Sequence, residues 1–341
     1  TSLVRDWSSD VCSSDLTRAA SSSRCSWTAN QSRWPAMSAD SDRRTMLIAL
    51  TGAVAISFSP VFYVYSDTNP STGAFFRMLY ALPALALLAY LVRKSDTRSS
   101  RTRWTAFGAG LILAPDMLSY HSSMIFIGIG IATLIGNSQV IIVTLASWKL
   151  FGEKPNPAIL LSLPVVIIGL ALISGFADPE PYGEDPVKGV VFGMMAAFFY
   201  SSFLILFRYS NRELAPSSSV QLDATVGAAL GLLVLGLLPL SSMAIEPLEL
   251  QPTWPGHGWL ILLALLCQVA GWLAIAHALP RLPAAHTSFA ILLQPVLTLI
   301  WGYFILHQEG HSQNQAIGIF LVLAAIITVT LYGSASTAES D

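Results

Sequence analysis

Asp116 is the sole acidic residue set well inside an apolar stretch of this 341-residue chain. A charged Asp at the centre of a membrane-spanning helix costs about 2.5–3.5 kcal/mol on insertion scales. Tyr120 and Ser123 follow at i+4 and i+7 and share its helical face, whereas His121 at i+5 is turned away. An acid on such a face can exchange a proton with a wet cavity or pair with a cationic group of a solute. The competing reading is a hydrogen-bonded Asp that locks helices together.

Other polar side chains recur at similar depth. Thr133, Asn137, Thr144 and Trp148 share one face of a later stretch, with Gln139 on its other side; Thr287, Gln294, Thr298 and Trp301 do the same near the end of the chain. Gln268 and Trp272 share a face, with His277 opposite. Such amides and hydroxyls either line a solute cavity or serve as interhelical glue, and Trp148 and Trp301 suit interfacial positions. Pro295 removes a backbone N–H beside Gln294. Ser59 and Pro60 interrupt the first stretch, and Tyr200, Ser201 and Ser202 occupy the comparable place in the second half, a pairing that suits gates or hinges.

Arg77 is expected near the outer end of its helix, snorkelling or paired with Asp67. Glu153 and Glu309 close their stretches, where solvated charge is ordinary. His121, His277 and His286 lack HxxxH or HxxE spacing, Cys267 stands alone beyond residue 36, and no GxxxxGK[ST] is present. Neither a metal, a cofactor nor direct use of ATP is therefore expected.

The elements that position these residues are ten apolar stretches: 46–65, 74–92, 104–125, 130–150, 158–176, 188–207, 220–240, 258–279, 285–306 and 314–332. Charged residues are 11% of the chain, against roughly a quarter in soluble domains, so a water-compatible surface is out of reach. No connection is long enough for a soluble catalytic domain, and no nucleic-acid role fits. Arg43 and Arg44, then Arg93, Lys94, Arg98, Arg101 and Arg103, and later Lys154, Arg208, Arg212 and Arg281 fall on one side. By the positive-inside rule both termini are expected in the cytoplasm. Residues 1–36 are polar and Ser-rich, and Asp6 to Leu16 reads as a translated sequencing adapter, so this leader is expected to be non-native and Met37 the start. The expected division is 37–182 and 183–341.

Five stretches in each half imply an inverted duplication, of which QVIIVTLASWKLFGE at 139–153 and QPVLTLIWGYFILHQE at 294–309 carry a trace. The segments NPSTGAFFRMLYALPALALL, ATLIGNSQVIIVTLASWKLFGEKP and SFAILLQPVLTLIWGYFILHQE make the chain similar to the EamA branch of the drug/metabolite transporter superfamily. Gly152 and Glu153 match the family's Gly-Glu pair; the second pair is replaced by Gln308 and Glu309. The resemblance implies an all-α integral membrane protein of ten helices, in a bacterial inner membrane. It also implies a carrier that exports a small metabolite, such as an amino acid or a cationic or toxic compound; without a P-loop the transport is expected to be secondary, and Asp116 is the candidate for proton or ion coupling. An uptake permease or exchanger, an intramembrane enzyme and a membrane scaffold are the rival readings. An enzyme would need a nucleophile with its base or a carboxylate-rich metal site, which one mid-helix Asp does not supply. Oligomeric state is not legible.

Overall fold

The computed structural model describes residues 39–139, 141–142, 157–173, 183–210, 216–238, 246–278, 284–308 and 312–332. The leader 1–36, Thr144, Trp148, Glu153 and Glu309 lie outside them. The elements are helical throughout: α1 (Ala39–Ser57), α2 (Ser59–Ser66), α3 (Pro70–Leu91), α4 (Ser100–Ile127), α5 (Ile129–Asn137), α6 (Pro157–Ile173), α7 (Pro186–Ser210) and α8 (Ser217–Leu237). Then follow α9 (Gly256–Leu262), a π-helical run (Leu263–Gly271), α10 (Trp272–Ala278), α11 (Ala284–Phe304) and α12 (Gln313–Tyr332).

Local sequence explains the boundaries. Asn69 caps α3, its side chain accepting from Thr72 N at 2.8 Å with Pro70 at the first turn, and Ser99 caps α4 through Thr102 N at 3.2 Å. Asp67, at φ 48°, ends α2 in the left-handed region, and Gly128, at φ 78°, separates α4 from α5 where a side chain would be strained.

Among the described residues, five runs are long and apolar enough to cross a membrane: Arg44–Ser66, Pro70–Leu91, Pro186–Phe207, Ser217–Leu237 and Gly256–Ala278. Shorter apolar helices cover Leu160–Ile173, Leu293–Phe304 and Gln313–Ala325. Outward faces are apolar, with Leu161, Ile167, Phe198, Phe304 and Phe320 more than half exposed, as a lipid-facing surface requires. The 28-residue α4 is not among the five, and its middle is polar and buried: Asp116, Ser119, His121, Ser122 and Ser123. It is shielded by protein, packing on α3, α5, α7 and α8.

Small residues set the closest approach. A Cβ on Gly110 would collide with the Ala224 carbonyl oxygen, and one on Gly227 with that of Phe107. The α4 and α8 backbones therefore touch through small side chains, as in membrane bundles generally. Contacts also pair across the halves: α3 with α8, α5 with α11, α6 with α12. Against α4, which packs on α7 and α8, stands the 256–278 run, which packs on α2 and α3.

Two stretches depart from a continuous α-helix and a third does not. The first stretch is broken at Phe58, where Pro60 lacks the N–H that would continue the ladder. The eighth carries a π-helical run around Gln268. The sixth has no kink at Tyr200: α7 is continuous, and Ser201 and Ser202 donate to the carbonyls of Ala197 and Phe198 one turn back.

Candidate functional site

Arg77 is 3% exposed and does not snorkel; its Nε donates to Gln268 Oε1 at 3.0 Å. The expected ion pair with Asp67 is replaced by this bond, because α3 turns Arg77 toward the π-helical run rather than toward its own capping loop. Arg77 lies within electrostatic reach of Asp116, Tyr120, Tyr200 and Cys267. These residues come from α3, α4, α7 and the π run, so four helices converge on one polar interior. Asp116 is buried and its Oδ2 has no hydrogen-bond partner, which is unusual for a buried acid.

Around this centre, each neighbour has its own tether. Thr133 Oγ1 donates to the Ile129 carbonyl at 2.7 Å, so the 2.7 Å bond between Tyr120 and Thr133 has the Tyr120 hydroxyl as donor. Ser123 Oγ donates to Gly189 O of α7 at 2.8 Å. His121 Nδ1 lies 2.6 Å from Met117 O, so that nitrogen is the donor and Nε2 is left as a buried acceptor without partner. Its ring meets Tyr63 edge-on at 4.3 Å, so His121 is enclosed rather than exposed to lipid.

Gln268 and Trp272 face one cavity, as their shared helical face suggests. The cavity is about 20 Å³, room for about one water. Leu113, Met117, Phe203 and Phe207 form most of its apolar wall, and Gln221 and Thr225 add polar groups. Gln221 Nε2 donates to the Gln268 backbone carbonyl, and Trp272 meets Tyr200 and Phe203 edge-on at 6.2 and 6.1 Å. Sequence reasoning missed Gln221 because it stands near the start of its stretch; the polar trio Gln221, Asp223 and Thr225 was the available signal.

A second constellation joins residues expected to serve separate halves. Thr298 Oγ1 donates to Gln294 O at 3.0 Å and lies 3.4 Å from Ser57 O, while Trp301 Nε1 donates to Ser57 Oγ at 3.0 Å. Trp301 is therefore a bundle residue, not an interfacial anchor. Cys267 Sγ donates to Ala55 O at 3.1 Å, so carbonyls at the break before Ser59 and Pro60 find partners in neighbouring helices. The helix α11 continues through Pro295, beside the half-buried Gln294. Asn137 Nδ2 turns back to Thr133 O at 2.8 Å in its own helix. Gln308 Oε1, where the second Gly-Glu pair is altered, accepts from Ile129 N at 3.1 Å and so caps the start of α5.

The two ends of α3 are tied to their neighbours by different means. Where α3 gives way to α4, Arg98 binds both oxygens of Asp96, at 2.8 and 2.9 Å, and reaches Asp223 of α8 at 2.9 Å. At the other end, Asn69, Ser71 and Thr72 of the α3 start bond the backbone of residues 246–249.

Residues 43–175 and 187–331 each match the EamA-like transporter family model. A protein of Archaeoglobus fulgidus described as an uncharacterized transporter is 24% identical, covering 83% of this chain and 96% of that protein. An uncharacterized transporter of Synechocystis is 24% identical over 73% of this chain and 76% of its own length. The uncharacterized inner membrane transporter YhbE of Escherichia coli is 26% identical over 75% and 79%. One solved crystal structure is similar in fold, with TM-score 0.58 and 17% identity over 87% of this chain and 99% of that chain.

Proposed function

The chain belongs to the EamA-like transporter family and is a multi-pass membrane transporter, and from that premise we propose that it exports a small metabolite by secondary, alternating-access transport. The observation that carries this reading is the buried polar centre of Arg77, Asp116 and Gln268, set among four helices. Charge at that depth serves a pathway in most membrane proteins. The water-sized cavity beside Gln268 then represents an occluded state, and a solute enters only when α7, α8 and the π run part from α4.

The two halves, 37–182 and 183–341, are read as inverted copies. Support comes from the doubled family match and from contacts that exchange when the halves are exchanged: α4 on α7 and α8 against the 256–278 run on α2 and α3. With both termini cytoplasmic, the Arg98 cluster closes the inner end and the 246–249 strap the outer one. The described name of the E. coli relative supports an inner-membrane location. Asp116 couples movement to protons, Pro60 and Pro295 mark the hinge, and Tyr200 and Trp272 flank the pathway.

Reconstitution of the full chain in sealed vesicles tests the proposal. Labelled amino acids and other small metabolites are offered with and without an imposed pH gradient. Protein-dependent, saturable movement of a solute is expected; no movement across the panel in either orientation would sink it.

A further inference from the structure

We infer that Arg77 takes the anionic group of the solute, so that the substrate class is an organic anion: a carboxylate carried on an apolar or aromatic body. This rests on the transport reading and narrows it. Arg77 makes one hydrogen bond among the described residues, from Nε to the neutral amide oxygen of Gln268, and its terminal nitrogens form no ion pair.

The chain supplies its own comparison. Arg98 is also buried, yet it is held by two carboxylates: Nε and one terminal nitrogen hydrogen-bond Asp96, and the other terminal nitrogen lies 2.9 Å from Asp223 in an ion pair. That is the treatment a structural arginine receives, since a desolvated guanidinium is costly without an anion. Arg77 receives only a neutral partner, and the nearest acid in electrostatic reach, Asp116, does not pair with it. The planar fork left open at Arg77 matches a carboxylate in bidentate geometry.

Charge and shape agree with this. The field of Arg77 extends over Tyr120, Tyr200 and Asp116, so a carboxylate entering beside the two tyrosines meets a fixed positive charge. Gln268 links Arg77 to the cavity, whose Leu113, Met117, Phe203, Phe207 and Trp272 walls suit an apolar body. A carboxylate on Arg77 would displace the Gln268 amide, which also stands in the π-helical run, a form of helix that recurs at functional sites.

The test is equilibrium binding to the full chain in detergent by titration calorimetry, using three probes of matched shape: 3-phenylpropionate, 3-phenylpropionamide and 3-phenylpropylamine. The acid is expected to bind at least about tenfold more tightly than the amide or the amine, as a hydrogen bond to a charged group implies. Arg77→Gln should abolish that preference, and Arg77→Lys should keep part of it. Amide or amine binding as tight as the acid overturns the inference, as does absence of saturable acid binding. Should Arg77→Gln fail to fold, the wild-type comparison and Arg77→Lys still decide. Because binding is read without vesicles, acid binding with no transport would sink the carrier reading alone, and transport of a cation with no acid binding would sink this one alone.

Discussion

Trp301 Nε1 donates to Ser57 Oγ at 3.0 Å, tying the ninth apolar stretch to the break in the first. The Trp301 ring also stacks on Phe58, the residue at the break, at 4.7 Å. Ser57 Oγ in turn donates to Val54 O at 2.6 Å, so the contact is a chain of two bonds ending on a backbone carbonyl. The break in the first stretch is thereby held directly by a helix of the other half.

Trp301→Phe keeps the stack and removes the bond. Because Ser57 retains Val54 O as acceptor, no buried donor is orphaned, and stability should fall by only about 1 kcal/mol. Thermal unfolding in detergent measures it. A loss as large as the roughly 3–5 kcal/mol of an aromatic-to-alanine truncation would show that the bond, not the ring, holds the break.

Gly110 and Gly108 lie two residues apart on α4 and should respond oppositely to alanine. At Gly110 the new methyl meets the Ala224 carbonyl, while at Gly108 nothing lies within 4 Å. Gly110→Ala should destabilise by about 1–3 kcal/mol through overpacking. Gly108→Ala should be neutral or gain up to about 1 kcal/mol from helix propensity. Equal melting temperatures for the two variants would refute the close α4–α8 contact.

The Arg98 side chain holds the Asp96 carboxyl below its ordinary range, chiefly by hydrogen bonding. Arg98→Met strands Asp96 and Asp223 and should cost about 3 kcal/mol at neutral pH. The folded-state value for Asp96 lies below the unfolded one, so its contribution is full above the ordinary Asp value of about 4 and is lost as pH falls through the folded value. The gap between wild type and Arg98→Met should therefore narrow on acidification below about pH 4. A gap that stays constant through that acid range would exclude the ion pair as its source.

Asp116→Asn preserves size and removes the titrating group. Under the coupling role proposed for Asp116, transport by this variant should lose its response to an imposed pH gradient while movement down the solute's own gradient persists. Wild-type gradient dependence in the variant assigns coupling elsewhere.

Much of the architecture was written in composition and local chemistry. Apolar runs and Pro60 as a breaker act within a few residues of themselves, and a chain of one dimension displays them. The face shared by Gln268 and Trp272 was legible for the same reason, since both line one cavity.

What each face meets is a different matter. A helical wheel orients a side chain about its own axis, and the bilayer and the bundle interior both present apolar neighbours, so sequence alone could not tell that Arg77 points inward to Gln268. Nor could it show that Trp301 reaches Ser57 across 244 positions, or that Gln308, just beyond α11, caps α5. The π-helical run was hidden as well, because its residues are ordinary helix formers and only their surroundings select the wider turn. Thus the sequence by itself determined a membrane bundle with one mid-helix acid and a broken first span. Tertiary structure alone decided that the acid shares its interior with a buried arginine, because that proximity depends on which helices the packing of small residues brings together.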